Sequence, residues 1–227
     1  MAGHDVNYQA LGGTLDITGE EGGPPVIPGV QIADLAGGAM QAVIGVLLAL
    51  TARTRTGRGQ MVDVSMVDGG AWMLPVALAF YQATETLPER GAAVLTGRYA
   101  CYHLYRCADG RWISVGALEP KFWSALCHAL GCEQFIPDQF AEGERRKEVV
   151  TALSCIFATR AAEEWFDFLK PYDACVAPVR KLAEVMCDFH LGKGETVVAP
   201  KLSATPGRLG GPPPRVGEHT QAELGSP

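Results

Sequence analysis

Residues 32–66, IADLAGGAMQAVIGVLLALTARTRTGRGQMVDVSM, decide the architecture. From Leu35 to Ala52 the run is apolar on all sides, the pattern of a helix packed among other elements. Asp34 stands just ahead of it. Thr54 to Gly59 then closes the helix with cations and glycine, which suit its negative end and the left-handed turn beyond. From Gln60 to Met66 the period changes to two. Val62, Val64 and Met66 alternate with Asp63 and Ser65, which predicts a strand. The apolar run approaches bilayer length, but Gly37, Gly38, Gln41, Gly45 and Thr51 interrupt it and no second span follows. A helix buried between a sheet and partner helices is therefore expected, and no membrane. One helix and one strand cannot bury such a surface, so residues 1–70 read as the C-terminal part of a larger α/β domain. The rest of that domain is expected upstream or on a partner chain.

Working outward, residues 12–30 are rich in Gly and Pro and read as a loop. Residues 67–85 have helical character, with Pro75 set to kink or start a helix. A change of character near residues 87–91 ends a helical linker, 71–97. Beyond it, Tyr99–Cys107 and Arg111–Leu118 flank Ala-Asp-Gly, a hairpin signal. Pro120 suits the first position of a helix that Gly131 stops after Leu130. Further helices are expected over 142–159 and 161–170, then a short strand at Cys175–Val179 and a helix from about 181. Residues 98–189 thus form a small α+β domain. Residues 190–227, with Gly-Gly-Pro-Pro-Pro at 210–214, read as an extended return segment.

The composition is that of an ordinary globular protein, 48% hydrophobic and 19% charged. The formal net charge is −6 and the basic residues form no stripe, which argues against a nucleic-acid partner. Seven cysteines without a C-x-x-C pair fit reduced thiols in the cytoplasm, not a disulfide framework or a zinc site. Met-Ala-Gly-His-Asp carries no basic and apolar leader, so no signal peptide is expected.

Three places carry candidate chemistry: Gly-His-Asp-Val-Asn-Tyr (3–8), Ile-Ala-Asp-Leu-Ala-Gly-Gly (32–38) and Gly-Ala-Leu-Glu-Pro-Lys-Phe-Trp (116–123). Each also has a plain structural reading. Asp34 and Glu119 both precede helices and suit capping of orphan N–H groups, and His4 suits an exposed, frayed terminus.

The same stretches resemble the class III CoA-transferase/α-methylacyl-CoA racemase family. The resemblance runs through Gly-His-Asp-Val-Asn-Tyr-Gln-Ala-Leu-Gly-Gly (3–13), Val-Ile-Pro-Gly-Val-Gln-Ile-Ala-Asp-Leu-Ala-Gly-Gly (26–38) and Arg-Thr-Gly-Arg-Gly-Gln-Met-Val-Asp-Val-Ser-Met-Val-Asp-Gly (55–69). It continues through residues 105–123, Cys-Val-Ala-Pro-Val (175–179) and Pro-Arg-Val-Gly-Glu-His-Thr (214–220). It implies a Rossmann-like large domain, a small α+β domain and an interlocked homodimer, with the active site between the large domain of one chain and the small domain of the other. The family's first third is absent from this sequence. In the racemase branch the acid/base residues match His4, Asp34 and Glu119. In the transferase branch the carboxylate matching Asp34 is the nucleophile. The substrate is an acyl-CoA thioester, with coenzyme A entering as part of it and no separate cofactor. Asp5, Tyr8, Gly37 and Gly38 are the expected contacts to it.

Racemising a 2-methylacyl thioester needs acid/base groups on both faces of the α-carbon. His4 suits one face, because imidazole exchanges protons near neutral pH, and Asp34 suits the other. Glu119 would orient the imidazole. The helix start after Asp34, with Gly37 and Gly38 allowing close approach, would stabilise the enolate oxygen. Acyl transfer needs only Asp34, which would form a mixed anhydride. The presence of both His4 and Leu-Glu-Pro favours the racemase, with a truncated, inactive remnant as the third reading.

Overall fold

The computed structural model describes residues 2–188, 200–207 and 215–218. It falls into two compact units, Met1–Pro178 and Val179–Pro227.

The first unit begins with helices. α1 spans Asp5–Gly12 and ends where Gly13 turns left-handed at φ 85°. A π-helical segment, Ala33–Met40, runs directly into α2, Gln41–Thr56. α2 stops at Gly57, again left-handed, with Arg53 and Arg55 in its last turn, as the sequence anticipated. α3 covers Met66–Ala71 and α4 covers Pro75–Thr84, with Pro75 as the first helical residue.

One expectation for this half is corrected. Residues 60–66 do not form a strand. The segment has no ladder partner among the described residues, Val62 lies against Gly45 of α2, and Met66 already belongs to α3. The Ser65 hydroxyl accepts the Asp68 N–H at 3.2 Å and so starts that helix. Alternation alone cannot make a strand where no neighbouring strand supplies its hydrogen bonds. The apolar helix is left uncovered by the described residues, in keeping with the expectation that residues 1–70 alone cannot bury it. Ala33–Thr56 is 24 residues long, and only 6% of its most apolar window is buried. Val43, Ile44, Leu47, Leu48 and Leu50 are all exposed. By length and composition this helix could cross a membrane.

α1, the π-helical segment and α3 pack largely through glycine backbone. Gly12, Gly37, Gly69 and Gly70 are buried, and these helices meet through them.

The large buried side chains lie further along. β1 (Tyr102–Arg106) and β2 (Trp112–Gly116) form the expected hairpin, pairing antiparallel with Tyr105 opposite Ile113. β3 (Val176–Pro178) adds on the far side of β2, giving the order β1-β2-β3. α5 is Pro120–Leu130, stopped by left-handed Gly131, and α6 (Gly143–Phe157) and α7 (Ala162–Leu169) follow. Their inner faces share one core with Tyr105, Ile113, Val115, Trp123, Leu126, Leu153 and Phe157. Tyr105 stacks on Phe157 at 5.0 Å, and Trp165 meets Phe157 edge-on at 5.3 Å. The indole N–H groups are satisfied: Trp123 donates to the Phe135 carbonyl at 3.0 Å and Trp165 to that of Phe157 at 2.9 Å.

Two arginines tie the helical half to this part. Arg90 donates to the Asp16 carbonyl at 2.6 Å and pairs with the Asp16 carboxylate at 2.9 Å. Arg146 of α6 pairs with Glu21 at 2.8 Å.

In the second unit α8 spans Leu182–Asp188, and residues 200–207 and 215–218 carry no regular element. The Pro/Gly stretch 210–214 lies outside the described residues. All seven cysteines are free thiols.

Candidate active site

His4 does not fray. It occupies the position before α1, where its backbone N–H donates to the Asn7 side chain at 3.0 Å and its carbonyl accepts the Asn7 N–H at 2.8 Å. Its side chain is exposed. Tyr8, one turn on, donates its hydroxyl to the Gly3 carbonyl at 3.1 Å, which closes the entry to the helix.

Asp34 is not an N-cap. It lies inside the first turn of the π-helical segment, with its side chain exposed. Its own backbone N–H is capped from elsewhere: Asp5 Oδ1 accepts it at 2.9 Å. The residue after His4 therefore touches the backbone of Asp34, and the first two candidate stretches meet. π-helical turns recur at functional sites because the wider turn redirects a side chain.

The two glycines expected to admit a ligand serve helix packing. A Cβ on Gly37 would lie 3.0 Å from the Met66 carbonyl oxygen, and one on Gly38 would lie 3.0 Å from Met66 Cγ. Their Cβ sides face α3.

Glu119 precedes α5 with extended backbone. Its carbonyl accepts the Phe122 N–H at 2.9 Å, and its side chain is exposed and makes no capping bond. The turn that carries it is fixed by Gln139, which is buried and donates to the carbonyls of Ala117 and Leu118 at 3.0 and 2.8 Å. Cys175 lies close by, its backbone left-handed at φ 52° and its carbonyl accepting the Gly116 N–H at 2.8 Å. Burial raises the Cys175 thiol, the Asp173 and Glu119 carboxylates raise it further, and Lys121 opposes them. Among the described residues no hydrogen bond or ion pair joins Glu119 to His4 or Asp34. The chain thus brings the His4 and Asp34 segments together and holds Glu119 on a separate element.

Sequence reasoning missed Gln9 and Gln139. Gln9 had a readable signal, four residues after Asp5 on one helix face. Gln139 had none, since it bonds carbonyls more than twenty positions earlier.

The model of CoA-transferase family III matches residues 1–220. The chain belongs to that family. Among curated relatives it is 35% identical over 237 residues to the α-methylacyl-CoA racemase of Mus musculus, covering 97% of this chain and 61% of the relative. It is 34% identical to the Homo sapiens racemase, covering 91% of this chain and 54% of the relative. The succinyl-CoA–D-citramalate CoA-transferase of Chloroflexus aurantiacus is 27% identical, over 94% of this chain and 58% of that relative. Among solved structures, a CAIB/BAIF family protein from Brucella suis is similar with a TM-score of 0.71 and 25% identity, over 97% of this chain and 62% of that one. A Mycobacterium tuberculosis protein shares the fold with a TM-score of 0.74. The chain spans roughly three-fifths of the length of the family III proteins it matches.

Proposed function

We propose that this chain carries the acid/base half-sites of an acyl-CoA racemase that moves the α-proton of a 2-methylacyl thioester through an enolate. One observation carries the reading: Asp5, the residue after His4, accepts the Asp34 N–H at 2.9 Å. An imidazole and a carboxylate thereby stand on adjoining segments, both exposed, as two-faced proton transfer requires. The identities to the mouse and human racemases, 35% and 34%, against 27% to the citramalate transferase, support the same branch.

His4 removes or delivers the proton on one face and Asp34 on the other, while the thioester oxygen carries the developing charge. Glu119 steadies the imidazolium. Because it sits on a separate element of this chain, the reading takes Glu119 from a second copy in a homodimer. The reading assigns residues 1–70 to a large domain and 98–189 to a small one. Coenzyme A enters as part of the substrate, and the free thiols suit the cytoplasm.

The competing reading is CoA transfer through an acyl-aspartyl anhydride at Asp34, which similarity to family transferases supports. Two variants separate the branches. In a racemase, His4→Ala and Asp34→Asn each abolish interconversion of the enantiomers. In a transferase, Asp34→Asn stops turnover and His4→Ala leaves CoA transfer to an added carboxylic acid largely intact. That second pattern would refute the racemase assignment.

A further inference from the structure

The contact between Asp5 and Asp34 has a support behind it. Asp5 is half-buried, and its second oxygen, Oδ2, accepts from Gln9 Nε2. Gln9 is fully buried, and its backbone carbonyl accepts from the Thr14 hydroxyl at 3.3 Å. Asp5 and Gln9 are one turn apart on α1, so the pair is a product of helix geometry. One oxygen of the carboxylate is thus held from the core while the other reaches a segment 29 residues later. The first N–H groups of any helix lack partners inside it. Asp5 supplies one from outside, to the residue whose side chain is the candidate base.

We propose that Asp5, braced by Gln9, is a positioning residue for Asp34, fixing the start of the π-helical turn from which the Asp34 carboxylate is presented. This rests on the reading of Asp34 as the reacting carboxylate. In it the Asp5 side chain acts through Asp34, whereas the resemblance implied a substrate contact. A charged acceptor makes the stronger hydrogen bond, and holding a reacting group within a fraction of an ångström depends on such supports.

Gln9 Oε1 is buried without a partner, which makes a conservative variant informative. In Asp5→Asn the side-chain oxygen still accepts the Asp34 N–H, and once the Gln9 amide turns over the new amide can donate to Gln9 Oε1. Asp5→Ala removes both contacts. Gln9→Met keeps the acceptor and loses only the brace.

The test uses the full chain and two readouts. Amide hydrogen exchange at Asp34, followed by NMR, should quicken at least about tenfold in Asp5→Ala and stay within about twofold of the parent in Asp5→Asn, with Gln9→Met between them. With a 2-methylacyl-CoA, kcat for interconversion of the enantiomers should fall at least about tenfold in Asp5→Ala with KM little changed, and Asp5→Asn should recover most of it. Equal Asp34 exchange in the alanine and asparagine variants overturns the proposal. So does a raised KM with unchanged kcat, which would make Asp5 a substrate contact. Absence of turnover in the unsubstituted chain overturns the functional reading, and the Asp34 amide then decides the Asp5 contact by itself.

Discussion

Gly37 and Gly69 meet backbone to backbone: a Cβ on Gly69 would lie 2.1 Å from the Gly37 carbonyl oxygen and 2.5 Å from its Cα. No rotamer relieves such a contact, because neither partner has a side chain to move. The stretch that carries Asp34 is therefore seated on α3 by the absence of atoms. Gly69→Ala should destabilise the helical half despite alanine's better helix propensity, by about 1–3 kcal/mol or more. Gly59, with nothing within 4 Å of its Cβ position, is the control. Gly59→Ala should stay within about 0.5 kcal/mol of the parent. Thermal unfolding of the two variants checks this, and equal shifts would contradict it.

The second prediction concerns the other core. Leu126 is fully buried on α5 among residues that include Trp123 and Ile113, whereas Lys121, on the first turn, is exposed and lies 4.5 Å from the centre of the Phe122 ring. Leu126→Asp should unfold the hairpin and its helices, since truncating a buried leucine alone costs about 2–5 kcal/mol and a buried charge adds to that. Lys121→Ala should cost at most about 1 kcal/mol. Circular dichroism melts that move together would count against the packing described.

His103 gives a pH dependence with a definite sign. Burial lowers the imidazole below its usual 6.5, the Gly97 carbonyl opposes this by hydrogen bonding at 2.9 Å, and the Arg146 charge lowers it further. The folded protein then binds fewer protons here than the unfolded chain. The contribution is fully present above 6.5 and is lost as pH falls through the lower folded value. Glu142 and Asp138, held low by Arg98 and Arg145, act in the same direction in parent and variant alike. His103→Asn keeps a donor for Gly97 but does not titrate. Its melting temperature should fall less than the parent's between about pH 7.5 and about pH 5. Parallel profiles would show that His103 contributes nothing.

The exposed face of α2 also makes a checkable statement. Leu47 and Leu48 are 58% and 65% exposed. Leu47→Lys should leave the melting temperature of the chain within about 1–2 °C, because little packing is lost. It should also reduce binding of a hydrophobic dye, since large apolar patches attract apolar partners. A large fall in melting temperature would mean that this face is covered in solution.

The elements most legible in the sequence were those with local causes. Pro120 and Gly131 bound α5, Ala-Asp-Gly turns the hairpin, and Gly57 with its arginines ends α2, each through a backbone preference of the residue itself. The failures had non-local causes. Gln60–Met66 alternates like a strand, but a ladder needs a neighbour and the chain supplies α2 in its place. Asp34 sits where an N-cap is expected, yet the helix begins one residue earlier because Asp5, far back in the sequence, satisfies its N–H. The segments bearing His4, Asp34 and Glu119 were legible through family resemblance, and the hydrogen bonds that hold them were not.

The central claim is that this chain bears proton-transfer groups for the α-carbon of an acyl-CoA. The direct measurement is incubation of a single enantiomer of a 2-methylacyl-CoA with the chain in D₂O, without an acceptor acid, followed by mass spectrometry and chiral analysis of the thioester. The account predicts deuterium at the α-carbon and interconversion of the enantiomers, with interconversion lost in Asp34→Asn and exchange retained only for the enantiomer whose proton faces His4. Retention of the α-proton, with CoA passing to an added carboxylic acid, would contradict it.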